Sequence, residues 1–436
     1  MVKVVPDEVV KGIDKYMDWK KYVELRKSDN KILFVDTNIG LDHALGLARQ
    51  GYEVFFAVVH GSAFPKIEDE INGYGFDEIR KVWDWGEGLE EGAGVVVFAD
   101  SGFGALADWL RSKGYAVFGS DSTTERIELD RVFFKKVVKR LGIKTPKYEV
   151  VKGIDGVVSG IKKYGKRFVK VSRFRGDVET FGTDDPEEAE IILRRSDLGM
   201  FDDVLEFVLE EPMDKDKFVE IGVDAFFNGE RFLDTVFDTV ELKWTGNFTT
   251  VNRIEDSPWY EVLKRFELWL AKNGYRGMFA LEGFWDGEDV YVTDPTPRWP
   301  YVCSYAYPRL IKNYAEVVIG VAQGEDVKIE TKTKYSVQIP MYTDEPDKWI
   351  EVKSKDWDMV AHRHSVKVEG RVFWVPVEDN VVVTGIGLGD RIDDAILNAI
   401  KVVEGVEASS TYHRAYEFKH YFGQRVVKLE ELGYPL

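Results

Sequence analysis

YAVFGSDSTTERIELDRVFFKKVVKRLGIKTPKY, residues 115–148, is where the chain changes texture. YAVFG (115–119) is a short apolar run closed by polar residues, which reads as a buried strand. From Asp121 the sequence becomes charged and amphipathic. Ser122 to Leu141 reads as one long helix, ended by Gly142.

Upstream of this point the pattern is a regular alternation. KILFVDT (31–37) and YEVFFAVV (52–59) are apolar runs bounded by polar residues, with Leu41, Leu45 and Ala48 at helical spacing between them. GVVVFAD (94–100), a helix over 102–113 and YAVFG repeat the unit. Strand–helix–strand repetition predicts an α/β domain with a doubly wound parallel sheet over 31–120. Residues 1–30 read as a helical extension.

Downstream the elements are longer and mixed, the texture of an α+β region. KYEVV and RFVKV are strands flanking a helix at 154–164, and Thr183-Asp184-Asp185-Pro186 opens a helix to Arg195. Three long strands follow, KFVEIGVDAFF, RFLDTVFDTVEL and GMFALEGFW, with a helix at 259–273 before the last. GFWDGEDVYV reads as a hairpin turning at Asp286-Gly287. A helix over 305–322 closes the segment. A mainly β region, 331–436, ends in VVVTGIGLGDRIDDAILNAIKVV, read as a strand, a glycine-rich turn and a helix.

Bulk properties narrow the function. The 436 residues carry a formal net charge of −18, unsuited to wrapping a phosphate backbone, so direct nucleic-acid binding is unexpected though not excluded. No apolar run approaches the roughly 18–20 residues that span a bilayer, and the amino terminus lacks a secretory pattern. The lone cysteine, Cys303, sits in apolar PYVCSYAYP and reads as a packing residue. A cytoplasmic protein is expected, monomer or homodimer. His362 and His364 alternate in VAHRHSV and read as exposed strand positions. Walker-type and G-x-S-x-G motifs are absent, which argues against P-loop and α/β-hydrolase chemistry.

Two constellations carry chemistry. Glu282 and Asp294 lie on the two strands of the 278–298 hairpin, where adjacent antiparallel strands can set carboxylates side by side. Such a pair repels unless a hard divalent cation sits between its oxygens, and Arg298 could grip a phosphate or carboxylate nearby. A solvated acidic hairpin would give the same pattern. In KRFVKVSRFRGDVETF (166–181), Lys170 ends a strand and Arg173, Arg175 and Gly176 follow in a turn, suited to a polyphosphate or simply to a basic surface loop. Glu210, Glu211 and Glu220 surround a later strand–loop–strand connection. In DTNIGLDHALGLA (36–48) Gly40 serves a tight turn rather than a dinucleotide site.

Taken in order, these segments resemble the ATP-grasp superfamily, and within it the phosphoribosylamine–glycine ligases, from about Lys31 to the carboxyl terminus. The 115–148 segment is similar to that family's "fGP…lE.SK.faK…gIPT..y" stretch, ILFVDTNIGLDHALGLA to its opening strand and helix, and VVVTGIGLGDRIDDAILNAIKVV to its "V...G.G.tl.eA...Ay" stretch. The resemblance implies an ATP-grasp domain over 121–330, with a lid at about 145–205, between a pre-ATP-grasp domain and a C-terminal domain at 331–436. It implies that Arg131 and Lys170 contact nucleotide phosphates, that Glu210 and Glu211 frame adenine, and that Glu220 binds ribose. Glu282 and Asp294 match the metal acids, Thr296 stands where an Asn is usual, and Arg298 matches the family's Arg. ATP and Mg²⁺ (or Mn²⁺) are the implied cofactors. A carboxylate and an amine are the implied small-molecule substrates, joined through an acyl phosphate. The loop 172–182, with Arg175 as a side-chain contact, would close over ATP.

The substrate loops depart from the family. SRFRGDVET replaces its glycine-rich loop, ADSGFGALAD replaces its acceptor loop, and LKWTGNFTTV stands near its absent "NTGGMG". These departures predict altered substrates. The alternatives are an authentic phosphoribosylamine–glycine ligase and a nucleotide-binding protein without turnover.

Overall fold

A computed structural model describes residues 27–59, 70–173, 180–195, 204–377 and 379–436. The expected extension at 1–30 lies outside these, apart from its end. Residues 28–30 are already strand, because the Ser28 amide donates to Gly92 O at 3.0 Å.

The first sheet is the expected parallel one. β1 (Ser28–Asp36), β2 (Glu53–Val58), β3 (Arg80–Val82), β4 (Ala93–Phe98) and β5 (Ala116–Phe118) lie in the order β3-β2-β1-β4-β5. β1 is buried on both faces. Ile32 and Phe34 join one core while Leu33 and Val35 join another, so a continuous apolar run is what the position demands. At the end of β1, the Asp36 carboxylate accepts from the amides of Thr37, Ile39 and Gly40 at 2.7–2.9 Å. That turn is therefore satisfied from within.

The second sheet is small and antiparallel: β6 (Tyr148–Lys152), β7 (Arg167–Val171), β8 (Thr180–Thr183) and β9 (Glu206–Glu210), in the order β6-β9-β7-β8. Helices Gly153–Tyr164 and Pro186–Arg195 pack on it through Ile154, Val157, Ile161, Ala189 and Leu193.

The central sheet begins with β10 (Val219–Phe227), β11 (Phe232–Leu242), β12 (Gly246–Arg253), β13 (Gly277–Trp285) and β14 (Val290–Thr296). The remaining strands are β15 (Tyr335–Thr343), β16 (Ile350–Ser354), β17 (Val360–His362), β18 (Ser365–Val368), β19 (Arg371–Trp374), β20 (Val381–Gly389), β21 (Val406–Ala408) and β22 (Thr411–His413). The boundary expected at 330/331 divides the sequence but not the sheet. β12 pairs with β15, so one antiparallel sheet runs β14-β13-β10-β11-β12-β15-β20-β17, with β22 also on β15. A separate sheet orders β18-β19-β16-β21.

Several expected elements differ, each for a local reason. The single helix over 122–141 is two, Arg126–Leu129 and Arg131–Arg140, broken at Asp130, whose backbone is extended (φ −130°, ψ 94°). Asp130 caps the second helix by accepting from the Phe133 amide at 2.9 Å. The helix over 305–322 is interrupted at Ile311, which bridges to Thr331. The glycines of VVVTGIGLG are not a turn but the interior of β20. A Cβ on Gly387 would land on the Ala395 carbonyl and the Ala399 amide, so the strand needs glycine for helix Ile392–Glu404 to seat against it. A final helix, Ala415–Glu431, buries Phe418 and Phe422 against the central core. His362 and His364 are buried, not exposed: the former stacks on Trp357 with ring centroids 4.9 Å apart, and the latter's Nδ1 lies 3.1 Å from Val375 O. No described helix is long and apolar enough to cross a membrane.

Candidate active site

The site lies where the small antiparallel sheet faces the central one, and strand register builds it. Gly222 of β10 stands opposite Glu282 of β13, and Glu282 opposite Asp294 of β14. Direct cross-strand partners share a face, so the two acids project side by side. The register slips between Glu282 and Gly283, leaving Thr293 as the bulged residue, its hydroxyl on Glu282 O at 3.1 Å. The bulge turns Thr293 O and the Asp294 carboxylate toward β7.

Lys170, buried at the end of β7, meets three acceptors there: Asp294 Oδ2 at 2.6 Å, Glu210 Oε2 at 3.0 Å and Thr293 O at 3.2 Å. Arg131 Nη1 donates to Asp294 Oδ1 at 2.6 Å. Its place follows from the break at Asp130, which starts a new helix with Arg131 as its first residue. Lys135, one turn on and on the same helix face, is buried on Glu210 Oε1 and donates to Thr145 Oγ1 at 2.6 Å. Three cations thus share two acids, a local excess of one positive charge. Burial opposes the charge of Lys170, but Asp294 and Glu210 outweigh it and hold its pKa above the ordinary lysine range. Burial instead wins at Lys135 and draws its pKa down, against the attraction of Glu210. Asp294 stays ionised: burial opposes its charge, and Lys170 and Arg131 hold it well below the usual carboxylate range.

Immediately beside this positive pole is an acidic one. Glu220, Glu241 and Glu282 line a common recess with Asp224, Asn247 and Tyr301. Enclosure by the recess walls, with the like charges of Glu241, Asp294 and Glu220, pushes the Glu282 carboxyl up to about 8. Its side chain is nonetheless open to solvent, so the neighbouring like charges act on it more than burial does. A carboxylate kept reluctant to ionise by other carboxylates is a group short of a counter-cation. The oxygen-only donor set suits Mg²⁺, which uses one or two carboxylates and keeps waters. Among the described residues no three carboxylate or imidazole groups stand close enough for a fuller metal shell. Thr296 pairs with Ala280 on the same face, two residues beyond Asp294.

The other expected residues are placed as follows. Glu210 turns its side chain to the lysines. Glu211 donates its backbone amide to Lys147 O at 2.8 Å on the connection between the two sheets. Arg173 (φ 63°) donates Nε to Asp130 Oδ2 at 2.9 Å with its side chain largely exposed, at the mouth of the loop. Arg175 and Gly176 lie outside the described residues. Arg298 is held by acids rather than free for phosphate, with Nε 2.9 Å from Asp100 Oδ1 and Nη2 2.9 Å from Glu128 Oε1. It joins the parallel-sheet domain to the hairpin. Sequence reading missed Lys135 and Glu241. The first stands four residues from Arg131, and the second two residues from Thr239, which pairs with Gly222, so helical and strand periodicity respectively would have found them.

The class this architecture defines is the ATP-grasp fold. Two antiparallel α/β units clasp a cleft, with a parallel-sheet domain before them and a β extension behind. Phosphoribosylamine–glycine ligase from Thermotoga maritima superposes with a TM-score of 0.70 at 19% identity, covering 88% of this chain and 99% of that one. Biotin carboxylase from Campylobacter jejuni, in complex with β,γ-ATP, gives 0.62 at 12% identity over 90% and 94%. N5-carboxyaminoimidazole ribonucleotide synthetase, an ADP complex, gives 0.56 at 14% over 87% and 97%. No protein-family model and no curated protein sequence matches the chain.

Proposed function

We propose that this protein is an ATP- and Mg²⁺-dependent carboxylate–amine ligase, acting through an acyl phosphate on substrates other than phosphoribosylamine and glycine. The observation that carries the reading is the division of charge across one cleft. Arg131, Lys135 and Lys170 stand on one side, Glu220, Glu241 and Glu282 on the other, and Asp294 between. A polyphosphate carrying a divalent cation has the complementary pattern. The neighbours of like fold include a phosphoribosylamine–glycine ligase and nucleotide complexes of two other enzymes, which supports the same reading.

In this account Lys170 and Arg131 receive the phosphate oxygens and neutralise charge that builds during transfer. Phosphoryl transfer asks a protein mainly for positioning and charge. Both cations are already fixed by Asp294, so little reorganisation is needed. Glu282 and Asp294 would hold the metal, which when bound supplies charge neutralisation and orients phosphate oxygens. Glu220 would receive the ribose hydroxyls and the Glu211 connection the adenine edge. Arg173, tied to Asp130, stands where the segment expected to close over the nucleotide begins; residues 174–179 of that segment lie outside the described residues. Arg298, held on Asp100 and Glu128, positions the hairpin against the parallel-sheet domain in this reading.

The test is Mg²⁺-dependent ADP release screened against panels of carboxylic acids and amines, with ligated products read by mass spectrometry. ADP release that needs one acid and one amine is expected, with Lys170→Met reducing it about 100-fold or more. Ordinary turnover with phosphoribosylamine and glycine would contradict the altered-substrate part. ATP binding without turnover across broad panels would contradict the ligase assignment.

A further inference from the structure

A second cavity, of about 450 Å³, opens at the rim of the central sheet, where the start of β10 and the end of β11 meet helix Ala415–Glu431. Its lining includes Lys215, Lys243, Arg414, Arg425 and Lys428, and Glu220 is the lone acid among its lining residues. That balance runs against the whole chain, which has 77 acidic and 59 basic residues. Arg414 is engaged by Glu417, and Lys428 Nζ donates to Lys215 O. Lys215, Arg425 and Lys428 have no carboxylate at ion-pair distance among the described residues, whereas Lys243 feels the charge of Glu241 and Glu282. Phe218 and Tyr421 supply aromatic walls. Gathering like charges costs free energy unless an anion completes them, and in so acidic a protein neutralising carboxylates were plentiful.

We propose that this rim cavity is a binding site for a small molecule bearing a phosphate or carboxylate group, adjoining the nucleotide cleft at Glu220 and formed by other cations than Arg131, Lys135 and Lys170. Glu220 lines both the rim cavity and the acidic recess that contains Glu282. A ligand held by its anionic end against Arg425 and Lys428 therefore lies one side chain away from the cleft. Two sources share this chemistry: a ligation substrate with an anionic tail, or a separate anionic effector. Arg425 and Lys428 come from the final helix, so the carboxyl-terminal segment is part of the site.

Inorganic phosphate titrated by calorimetry into the nucleotide-free, full-length protein tests the site without relying on the ligase reading. Wild type binds phosphate; the Arg425→Ala/Lys428→Ala double variant weakens binding at least about tenfold, the loss of one or two charge-assisted hydrogen bonds. Lys170→Met, which removes a cation from the nucleotide cleft alone, leaves in place the phosphate binding that the double variant loses. Arg425→Lys/Lys428→Arg retains binding, which separates loss of charge from loss of the helix. Phosphate affinity unchanged in the double alanine variant, or absent in wild type, overturns the proposal. So does affinity abolished by Lys170→Met alone, because phosphate then occupies the nucleotide cleft. In turnover assays, competition between phosphate and one substrate identifies a substrate tail, and non-competitive inhibition identifies an effector; both uphold the site.

Discussion

Glu210 shows how much one residue can settle. It is buried, and both its oxygens are taken by lysine ammonium groups, those of Lys135 and Lys170, themselves buried. Its resemblance to an adenine-framing acid was legible in the sequence; that its side chain turns to Lys135 and Lys170 was not. A sequence shows that an acid precedes a hinge; it does not show which way the side chain turns. Lys135 went unread for a related reason, since a lysine in a charged helix is usually solvated and only its i,i+4 relation to Arg131 marks it out. Glu210→Gln leaves two buried ammonium groups sharing Asp294 and neutral oxygens. A stability loss of about 3 kcal/mol is expected in urea denaturation. A loss below about 1 kcal/mol would mean that water reaches the lysines and that the pair is not a buried network.

At the scale of elements, β13 and β14 were readable in advance, down to the turn at Asp286-Gly287, because alternation and turn chemistry agree there. The pairing of Glu282 with Asp294 followed from that hairpin. The bulge at Thr293 did not, because one extra residue leaves no mark in composition. The same limit explains β20. Alternating Gly385, Gly387 and Gly389 read as a loop, whereas the reason for them is the closeness of a helix that lies later in the chain. The helix break at Asp130 is a third case: a capping acid inside an apparently continuous amphipathic run is also what an exposed acid looks like. Gly387→Ala forces β20 and helix Ile392–Glu404 apart. We expect destabilisation of about 3 kcal/mol or more, from overpacking against backbone that cannot turn aside. Gly370→Ala, where nothing lies within 4 Å of the added carbon, controls for a change of residue type at a surface glycine with φ 77° and should cost about 1 kcal/mol. Equal losses at the two positions would refute the packing explanation.

At the scale of the molecule, sequence reading captured the parallel-sheet domain and the order of the parts. The central sheet continues across residue 330 through the pairing of β12 with β15, and such a long-range pairing leaves no mark in local texture. The N-terminal domain is locked on by buried polar contacts. Arg309 Nη2 meets Asp42 Oδ1 at 3.0 Å and Val360 O at 2.7 Å, tying three segments together. His43 lies in the same junction, with Nδ1 2.7 Å from Tyr314 Oη and its ring stacked on Trp299. Burial lowers the pKa of His43 and of His362 to about 3. Both are neutral in the fold but protonate near pH 6.5 when unfolded, so the unfolded chain binds more protons between pH 3 and 6.5. Stability is then full above about pH 6.5 and falls as pH drops, by up to about 1.4 kcal/mol per pH unit for each histidine. Asp36, pushed up to about 6 by burial, acts in the opposite direction over part of that range. The contrast is therefore best read against a variant. His362→Phe should lose less stability than wild type between pH 7 and pH 5 in matched urea titrations. Parallel losses would mean that the imidazole is not buried neutral.

Asp294 touches Lys170 and Arg131 on one side and stands beside Glu282 on the other. Calorimetric titration of a non-hydrolysable ATP analogue with an imido group between its β and γ phosphates, with and without Mg²⁺, tests this arrangement without knowledge of either substrate. Wild type should bind far more tightly with Mg²⁺ than without it. Asp294→Asn should remove most of that Mg²⁺ dependence and weaken binding about tenfold to 100-fold. Binding that is indifferent to Mg²⁺, or unchanged in the Asp294→Asn variant, would contradict it.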